Sequence, residues 1–471
     1  MDPKSIVMIA YYFPPEGNAA VYRPLRFLKG LVEKGWQARV ISCEPYRYER
    51  RDSALLEQLP LATQVVRVKG WDPWRAFQSR RGTQTAKVLS GLSTEEARQA
   101  VAVYHSPLRS RLREWVRLAE TWVYRPDMAM PWIRPAVRAG IDLCQRTRSS
   151  VLWATIGPLS SGLVAYQTAV ATGIPYVLDF RDPWGLEYYP HEIRRPAWAR
   201  KVDNRNMCRM FKQAQSVVFM FESVAQSYLQ AFPGVLEREK IHIIPNGFEG
   251  EVEPFAHAPG DRCTVLYAGT LSTYRYDTLL EGLNQLRCQD PSLAARLRML
   301  FVGEGLRPLA ERAAELGLHE LFEIRPPIPS AEVRRLQREA HALLVLGRMP
   351  GRTAHDLVAG AKLFGYLQAG RPVIGIVPRD ETRRILSQVG SPLIADADSP
   401  AEVVGVLKRI LEAWSSGTLE QIIPNRAACE DYSSNRQISD LITALNGSLP
   451  EKASTVGESV LPTCWRSEVM K

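Results

Sequence analysis

The chain has 471 residues, which is beyond the size at which one hydrophobic core usually stops growing, so we expect two domains. Hydrophobic residues make up 45% of the chain and charged residues 23%, which excludes general disorder. The formal net charge of +10 favours an anionic partner: a nucleic acid, an anionic membrane surface or a phosphorylated substrate.

The seven cysteines are scattered and form no C-x-x-C pair, so neither a disulfide framework nor a zinc site is indicated. No run of about 18 apolar residues predicts a transmembrane helix. The apolar run at 6–10 is too short for a signal-peptide core. We therefore expect a cytoplasmic protein, either free or peripheral at the inner face of the membrane.

The first half alternates between strands and helices. A strand over 5–11 runs into a loop rich in proline and glycine, and a helix over 19–34 follows. Further strands are predicted over 37–42, 151–155, 175–180 and 216–220. This alternation predicts a parallel sheet covered by helices. A basic region over 46–125, with interleaved tryptophans (Trp71, Trp74, Trp115 and Trp122), is expected to be an insertion.

The alternation begins again after a linker-like loop rich in glycine and proline. The predicted strands are 264–268, 298–302, 321–324, 342–346 and 373–377. We therefore predict a first domain over 1–248 and a second domain over 249–425. A helical segment over 426–446 is expected to return to the first domain, and 447–471 to be a mobile tail.

Loops that follow parallel strands are the natural places for an anionic ligand, because they lead into helix N-termini with free N–H groups. Gly269 and Arg275 lie in one such loop, where an arginine suits a diphosphate. They equally fit a chain turn and a solvated arginine. Gly303 and Gly305 lie in another loop, but without a full dinucleotide fingerprint.

Lys362 opens a predicted helix after a Gly-Ala step and therefore lies in its first turn, beside free amides. The helix dipole disfavours a cation there, so Lys362 makes more sense with a bound anion. An exposed lysine without a role is the alternative.

A third group closes the strand that ends at 180. Asp179, Arg181 and Asp182 are predicted to shape a substrate pocket, or else to fix the loop through an Asp179–Arg181 or Arg181–Asp182 ion pair. The histidines show no metal-binding spacing and no Asp-x-Asp follows a strand, so we predict a reaction without a metal and without a cofactor. Nucleophile-elbow and P-loop motifs are also missing.

Together these segments resemble the retaining glycosyltransferases of family 4, which have the GT-B fold of two facing Rossmann-like domains with a cleft between them. The segments that carry the resemblance are YYFPPEGNAAVYRPLRFLKGLVEKGW, PYVLDFRDPWG, IHIIPNGFE, VLYAGTLSTYRYDTLLEGL, LFVGEG and AKLFGYLQAGRPVIGIVP, followed by Glu381. Their order and spacing make the match specific.

The resemblance implies functional positions. The loop that approaches the sugar and the diphosphate falls on Glu16, Gly17 and Asn18. The family's pair of cations falls on Thr270 and Arg275, so one cation is missing and Lys362 is expected to compensate. The resemblance makes 1–248 the acceptor-side domain and 249–425 the nucleotide-sugar-binding domain. It implies Arg275 and Lys362 as the catalytic cations. The donor-binding residues are predicted to be Gly17, Gly269, Thr270, Gly303, Gly305, Ala361 and Glu381. Glu16 and Asn18 are assigned to the acceptor pocket with Asp179, Arg181 and Asp182.

The chain departs from the family at one position. The glutamate that contacts the ribose falls on Gly365, and Asp356 or Glu381 would have to substitute for it.

The implied function is transfer of a sugar, with retention, from a nucleoside-diphosphate sugar to a saccharide or lipid-phosphate-linked acceptor, in synthesis of a surface polysaccharide or glycolipid. The basic region would face an anionic membrane. A nucleotide-sugar epimerase and a non-catalytic nucleotide-sugar-binding or scaffold protein are the alternatives. A nucleic-acid partner is not expected, because no recognition module accompanies the arginines.

Overall fold

The computed structural model describes residues 4–44, 51–61, 63–70, 124–186, 195–348 and 357–447. Most of the predicted basic region, with its four tryptophans, lies outside these ranges, as do Asp356 and residues 448–471 of the predicted tail. The chain divides into two compact units. The first contains Met1–Phe219, Ala225–His242 and Leu441–Lys471, and the second contains Met220–Val224 and Ile243–Asp440.

The first unit is built on a seven-stranded sheet in the described ranges, with strand order β3-β2-β1-β4-β5-β6-β7. The strands are β1 (Ser5–Ile9), β2 (Gln37–Cys43), β3 (Gln64–Val68), β4 (Val151–Ile156), β5 (Tyr176–Phe180), β6 (Ser216–Phe219) and β7 (Ile241–Ile243). Pairing is parallel from β3 through β6. Every residue of β1, β4 and β5 is buried, as expected for parallel strands covered on both faces.

Helices follow these strands, as the predicted alternation requires. They are α1 (Tyr22–Glu33), α2 (Met130–Thr147), α3 (Ser160–Thr172), α4 (Ala197–Gln213) and α5 (Glu222–Ala231). The helix predicted over 19–34 has two parts, because Asn18 caps a 3-10 turn, Ala19–Val21, that precedes α1.

The second unit is built on a six-stranded parallel sheet with strand order β10-β9-β8-β11-β12-β13. Its strands are β8 (Cys263–Ala268), β9 (Leu297–Val302), β10 (Phe322–Arg325), β11 (Ala342–Leu346), β12 (Val373–Val377) and β13 (Ile394–Asp396). Its helices are α6 (Asp277–Gln289), α7 (Pro291–Ala294), α8 (Arg307–Glu315), α9 (Ser330–Glu339), α10 (Lys362–Gln368), α11 (Glu381–Gln388), α12 (Pro400–Ser415) and α13 (Arg426–Glu430). A last helix, α14 (Ser434–Leu445), spans the boundary between the two units.

The strand order reverses beside β1 in the first sheet and beside β8 in the second. In open parallel sheets, ligands bind beyond the carboxyl ends of the strands at such a point. Three strands, β3, β7 and β13, were not predicted from the sequence. Strand β3 pairs in register with β2 (Val40 with Val65), inside the region expected to be an insertion.

A close helix contact in the second unit depends on a glycine. A β-carbon built on Gly282 of α6 would lie 2.5 Å from a methyl of Val403 in α12 and 3.2 Å from the carbonyl of Pro400. Gly405, also in α12, has open space around it. The two positions therefore separate the effect of helix propensity from the effect of packing.

We expect Gly405→Ala to stabilise the second unit and Gly282→Ala to destabilise it. Alanine gains about 1 kcal/mol over glycine inside a helix, whereas overpacking costs roughly 1–3 kcal/mol. Scanning calorimetry of the two variants measures both effects. Equal changes in melting temperature would contradict the close packing of α6 on α12.

Candidate anion-binding site

The loops that follow β8 and β9 are bonded to each other. The amide of Gly269 donates to the carbonyl of Val302 (2.8 Å), and the amide of Leu271 donates to that of Glu304 (3.0 Å). Gly303 has a φ of 147°, and a β-carbon there would lie 2.2 Å from the carbonyl oxygen of Gly269. Gly303 is therefore required by the close approach of the two backbones.

The ammonium of Lys362, the first residue of α10, lies between two tyrosine rings. Its Nζ donates to the hydroxyl of Tyr267 (2.6 Å) and lies 3.8 Å from the centre of that ring and 4.3 Å from the centre of the Tyr274 ring. The hydroxyl of Tyr267 in turn donates to the carbonyl of Thr270 (2.9 Å). A β-carbon on Gly269 would lie 3.2 Å from Nζ, so this glycine leaves room for the ammonium.

Burial and the positive charge of Arg348 lower the pKa of Lys362 to about 7. In the described ranges, Lys362 forms no ion pair with a carboxylate. A bound anion would favour its charged form and raise this pKa again.

A pocket with an empty volume of about 290 Å³, part of it open to solvent, lies beside this lysine. Its polar lining residues are Tyr274, Arg348, Lys362, Asp380 and Thr382. Gly360 also lines it, and a β-carbon there would lie 3.1 Å from the Tyr274 hydroxyl. Two cations and the carboxylate of Asp380 thus line one pocket at the carboxyl end of the sheet. The paired cations suit a phosphate group.

Arg275 is placed differently from Lys362. Its guanidinium pairs with the exposed carboxylate of Asp398, and its amide donates to the carbonyl of Gly347 (2.9 Å). It is not among the residues that line the described pocket, whereas Arg348 is. The structure therefore groups Lys362 with Arg348, and contact between Arg275 and a donor stays a prediction.

The other predicted donor residues lie around the same loops. Gly305 has a φ of 71°, and a β-carbon there would lie 3.2 Å from the amide of Ser272. Ala361 immediately precedes α10 and is exposed. A β-carbon built on Gly365 has nothing within 4 Å, so this position has space for a side chain.

Glu381 is buried at the start of α11. Its carboxylate accepts hydrogen bonds from the Ser223 hydroxyl (3.1 Å) and from Nε of Arg384 (2.8 Å). The negative charge is therefore already balanced by an arginine. A ribose contact from Glu381 stays a prediction.

The predicted acceptor residues lie in the first unit. Glu16 is buried, and the Asn18 side chain accepts from the amide of Ala20 (2.8 Å) as a helix cap. A β-carbon on Gly17 would lie 3.3 Å from that of Asp52. The Asn18 side chain thus caps the turn that follows the loop. The acceptor role of Glu16 and Asn18 and the donor role of Gly17 stay predictions.

Asp179 is fully buried and pairs with Arg23 of α1 rather than with Arg181. The guanidinium of Arg23 donates two hydrogen bonds to it (2.7 and 2.9 Å). Of the two ion pairs that the sequence left open, Asp179–Arg181 is therefore wrong, because Arg23 takes the carboxylate, whereas Arg181–Asp182 is present. Arg181 instead donates to the carbonyls of Ala20 (2.8 Å) and Gly157 (2.5 Å) and pairs with Asp182 (3.4 Å).

This geometry predicts that Asp179 stabilises the fold. Removing one member of a buried pair leaves an uncompensated charge and costs about 3–5 kcal/mol. We expect Asp179→Ala to lower the free energy of unfolding of the first unit by about this amount, and the double variant Arg23→Met/Asp179→Leu to recover most of the loss.

Urea unfolding followed by tryptophan fluorescence measures these differences. Unchanged stability of Asp179→Ala would show that the carboxylate is not held by Arg23. Asp179 would then be available to contact a substrate.

Within the described ranges, no group of three or more His, Cys, Asp or Glu residues is arranged to hold a metal ion. None of the described helices combines the length and apolar character needed to cross a membrane.

No family model matches the chain. The chain is similar to a D-inositol 3-phosphate glycosyltransferase of Frankia alni, with 27% identity over 162 residues, covering 32% of this chain and 38% of that protein. It is also similar to a D-inositol 3-phosphate glycosyltransferase of Streptosporangium roseum, with 24% identity over 238 residues, covering 48% of this chain and 52% of that protein. The matches therefore span about half or less of these curated relatives.

Solved structures match almost the whole chain at low identity. A glycosyltransferase of Rickettsia africae aligns with a TM-score of 0.58 and 11% identity, over 95% of this chain and 99% of that one. HepE of Anabaena, in complex with UDP, aligns with a TM-score of 0.57 and 12% identity, over 94% of this chain and 100% of that one. A Listeria monocytogenes protein described as a UDP-N-acetylglucosamine 2-epimerase aligns with a TM-score of 0.50 and 10% identity, over 94% of this chain and 96% of that one.

These likenesses establish the fold. The chain consists of two parallel-sheet α/β domains that resemble the GT-B glycosyltransferases, and the predicted fold class is confirmed.

Proposed function

We propose that this protein is a retaining glycosyltransferase of the family 4 type, which takes a sugar from a nucleoside-diphosphate donor and passes it to a saccharide or lipid-linked acceptor. The observation that carries the proposal is the ammonium of Lys362, which has no carboxylate ion-pair partner in the described ranges and shares a pocket with Arg348. The weak similarity to curated glycosyltransferases supports the same class.

In this reaction the bond between the anomeric carbon and the diphosphate oxygen breaks, and a bond to an acceptor oxygen forms. Positive charge develops at the anomeric carbon and negative charge on the leaving diphosphate. Lys362 and Arg348 would stabilise the leaving group electrostatically, with Arg275 as a further predicted cation. The acceptor proton would pass to the leaving phosphate, so we assign no protein nucleophile and no metal.

The place of the reaction belongs to the same proposal. The net charge of +10 supports a role at an anionic membrane, in cytoplasmic synthesis of a surface polysaccharide or glycolipid. The basic region 46–125, which the sequence suggested for this contact, lies mostly outside the described residues.

A non-catalytic nucleotide-sugar-binding protein is the second candidate. It is favoured by Gly365, where the resemblance implies a donor-contacting glutamate, and by the Arg384 partner that already occupies Glu381. Turnover separates the two candidates: release of nucleoside diphosphate that depends on an acceptor requires a transferase. Conversion of the free donor without an acceptor would instead indicate an epimerase.

We expect Lys362→Met to weaken binding of nucleoside diphosphates and their sugars. A hydrogen bond to a charged group contributes about 1.5–3 kcal/mol, so affinity should fall by roughly 10–150-fold. Isothermal titration with a panel of nucleoside diphosphates measures this loss. Lys408 is a partly exposed lysine of the same unit and contacts Gln289. The variant Lys408→Met is therefore the matched control and should bind nucleotides like the parent.

If a nucleotide binds the parent and Lys362→Met proteins with equal affinity, Lys362 does not contact its phosphates. Arg275→Ala and Asp398→Ala test the other cation in the same assay. Loss of affinity in Arg275→Ala, with a gain in Asp398→Ala, would show that Arg275 leaves its carboxylate partner to reach the ligand.

Binding should also depend on pH. The free protein has a Lys362 pKa of about 7, and an anion raises it, so binding takes up a proton above pH 7. Affinity should fall by up to about tenfold per pH unit from pH 7 to 9, a range in which terminal phosphates are already ionised. Lys362→Met should show little of this dependence, and an equally steep profile in that variant would contradict the role of the lysine.

A further inference from the structure

Helix α4 of the first unit carries a row of positive charges that the sequence analysis did not single out. Lys201, Arg205, Arg209 and Lys212 are all exposed, and we call them the basic stripe. They are spaced by four, four and three residues, so they lie on one side of the helix. The stripe spans about 17 Å along the helix axis, at 1.5 Å per residue.

The opposite side of α4 faces the core. Its buried residues are Ala199, Asp203, Met207, Met210 and Phe211. At 100° of rotation per residue, the mean direction of these buried side chains is roughly opposite to that of the basic stripe. Packing of α4 on its own unit therefore turns the stripe outward.

No acidic residue of α4 neutralises the stripe. Asp203, the acidic residue of this helix, is buried and pairs with Arg195 (2.9 Å). In the described ranges Lys201, Arg205 and Arg209 form no ion pair. Like charges four residues apart repel each other and slightly destabilise a helix, and no acidic side chain of α4 relieves this repulsion.

Exposed helices of the second unit are built differently. In α8, Arg307 pairs with Glu311 (2.7 Å) and Arg312 with Glu315 (2.6 Å). In α9, Arg335 pairs with Glu339 (3.0 Å). The unpaired row is therefore a property of α4 rather than of all surface helices in this protein.

An exposed tryptophan continues the stripe at its N-terminal end. Trp198 is 43% exposed and lies three residues before Lys201, on the same side of α4. The guanidinium of Arg125 lies 4.5 Å from the centre of its ring and adds a further positive charge. A row of cations next to an exposed tryptophan is complementary to the surface of an anionic bilayer. At such a surface indole rings lie at the level of the headgroups, and basic residues contact acidic lipids.

We propose that the outward side of α4, formed by Trp198 and the basic stripe, binds the surface of a membrane that contains acidic lipids. The helix lies along the bilayer, with its cations at the lipid phosphates. The membrane role itself belongs to the proposed function, and this inference rests on it by naming the surface that makes the contact. The contact requires neither donor nor acceptor, so it can be tested apart from the transfer reaction.

The test is flotation of the full chain with phosphatidylcholine vesicles, with and without phosphatidylglycerol. The triple variant Lys201→Gln/Arg205→Gln/Arg209→Gln removes the centre of the stripe. The matched control Arg307→Gln/Arg312→Gln/Arg335→Gln removes three exposed positive charges from α8 and α9. Both variants thus lose three positive charges, and unchanged melting temperatures show that they fold.

We expect the parent to bind only vesicles that contain acidic lipid, and binding to weaken with added salt. Each basic residue near an anionic membrane contributes about fivefold in affinity, so the α4 variant should bind on the order of a hundredfold more weakly than the parent. The α8/α9 control should stay close to the parent, and Trp198→Ala should also weaken binding. These outcomes support the proposal.

Equal binding of the two triple variants would overturn the proposal, because the contact would then lie elsewhere or depend on net charge alone. Absence of vesicle binding, together with tight binding of a single-stranded oligonucleotide, would overturn it in favour of a nucleic-acid surface.

Discussion

The ammonium of Lys362 is held in place by aromatic rings rather than by an acidic side chain. Tyr267 supplies both a hydrogen-bond acceptor and a ring face, and Tyr274 supplies a second face. The hydroxyl of Tyr267 is itself fixed on the carbonyl of Thr270. Aromatic contacts position a cation without cancelling its charge, so the lysine keeps its capacity to bind an anion.

The loops after β8 and β9 and the end of β11 lie close to this cation. Gly269 has no side chain where the ammonium lies, and Gly303 allows the loop after β9 to close on Gly269. Strand β11 lies beside β8 at the strand-order reversal and delivers Arg348 to the pocket. The fold thus brings residues from distant parts of the chain to one edge of the sheet.

The sequence predicted the strands with apolar, β-branched character and the helices between them, because parallel strands buried on both faces read as continuous apolar runs. It did not predict β3, β7 or β13. Strand β3 (QVVRV) is partly exposed and lies in a basic region, and β7 and β13 have only three residues each.

The site was predicted in part. The position of Lys362 followed from a Gly-Ala-Lys step at a helix start, but the aromatic contacts depend on which way Tyr267 and Tyr274 point. Arg348 follows strand β11, and a search of every strand end would have included it. The pairings of Asp179 with Arg23 and of Arg275 with Asp398 join residues more than 100 positions apart, and a single sequence does not specify such contacts.

Helix α4 differs from other exposed helices in how its charges are arranged. Helices α8 and α9 pair arginine with glutamate along their exposed sides, and α2 of the first unit pairs Arg146 with Asp142. Helix α4 instead presents cations together and buries its acid. Since ion pairs within a helix contribute only about 0.2–0.5 kcal/mol each, this difference has little effect on stability. It has a large effect on the electrostatic potential that a charged partner meets.

The central claim is that Lys362 contacts a phosphate of a nucleoside diphosphate. A crystal structure of the complex tests it most directly. The account predicts a phosphate oxygen within roughly 3 Å of Nζ of Lys362, the distance of a charge-assisted hydrogen bond, with Arg348 on the same pocket. A nucleotide whose phosphates lie away from the Gly269 loop, with Lys362 still on the hydroxyl of Tyr267 and in contact with no ligand atom, would contradict it.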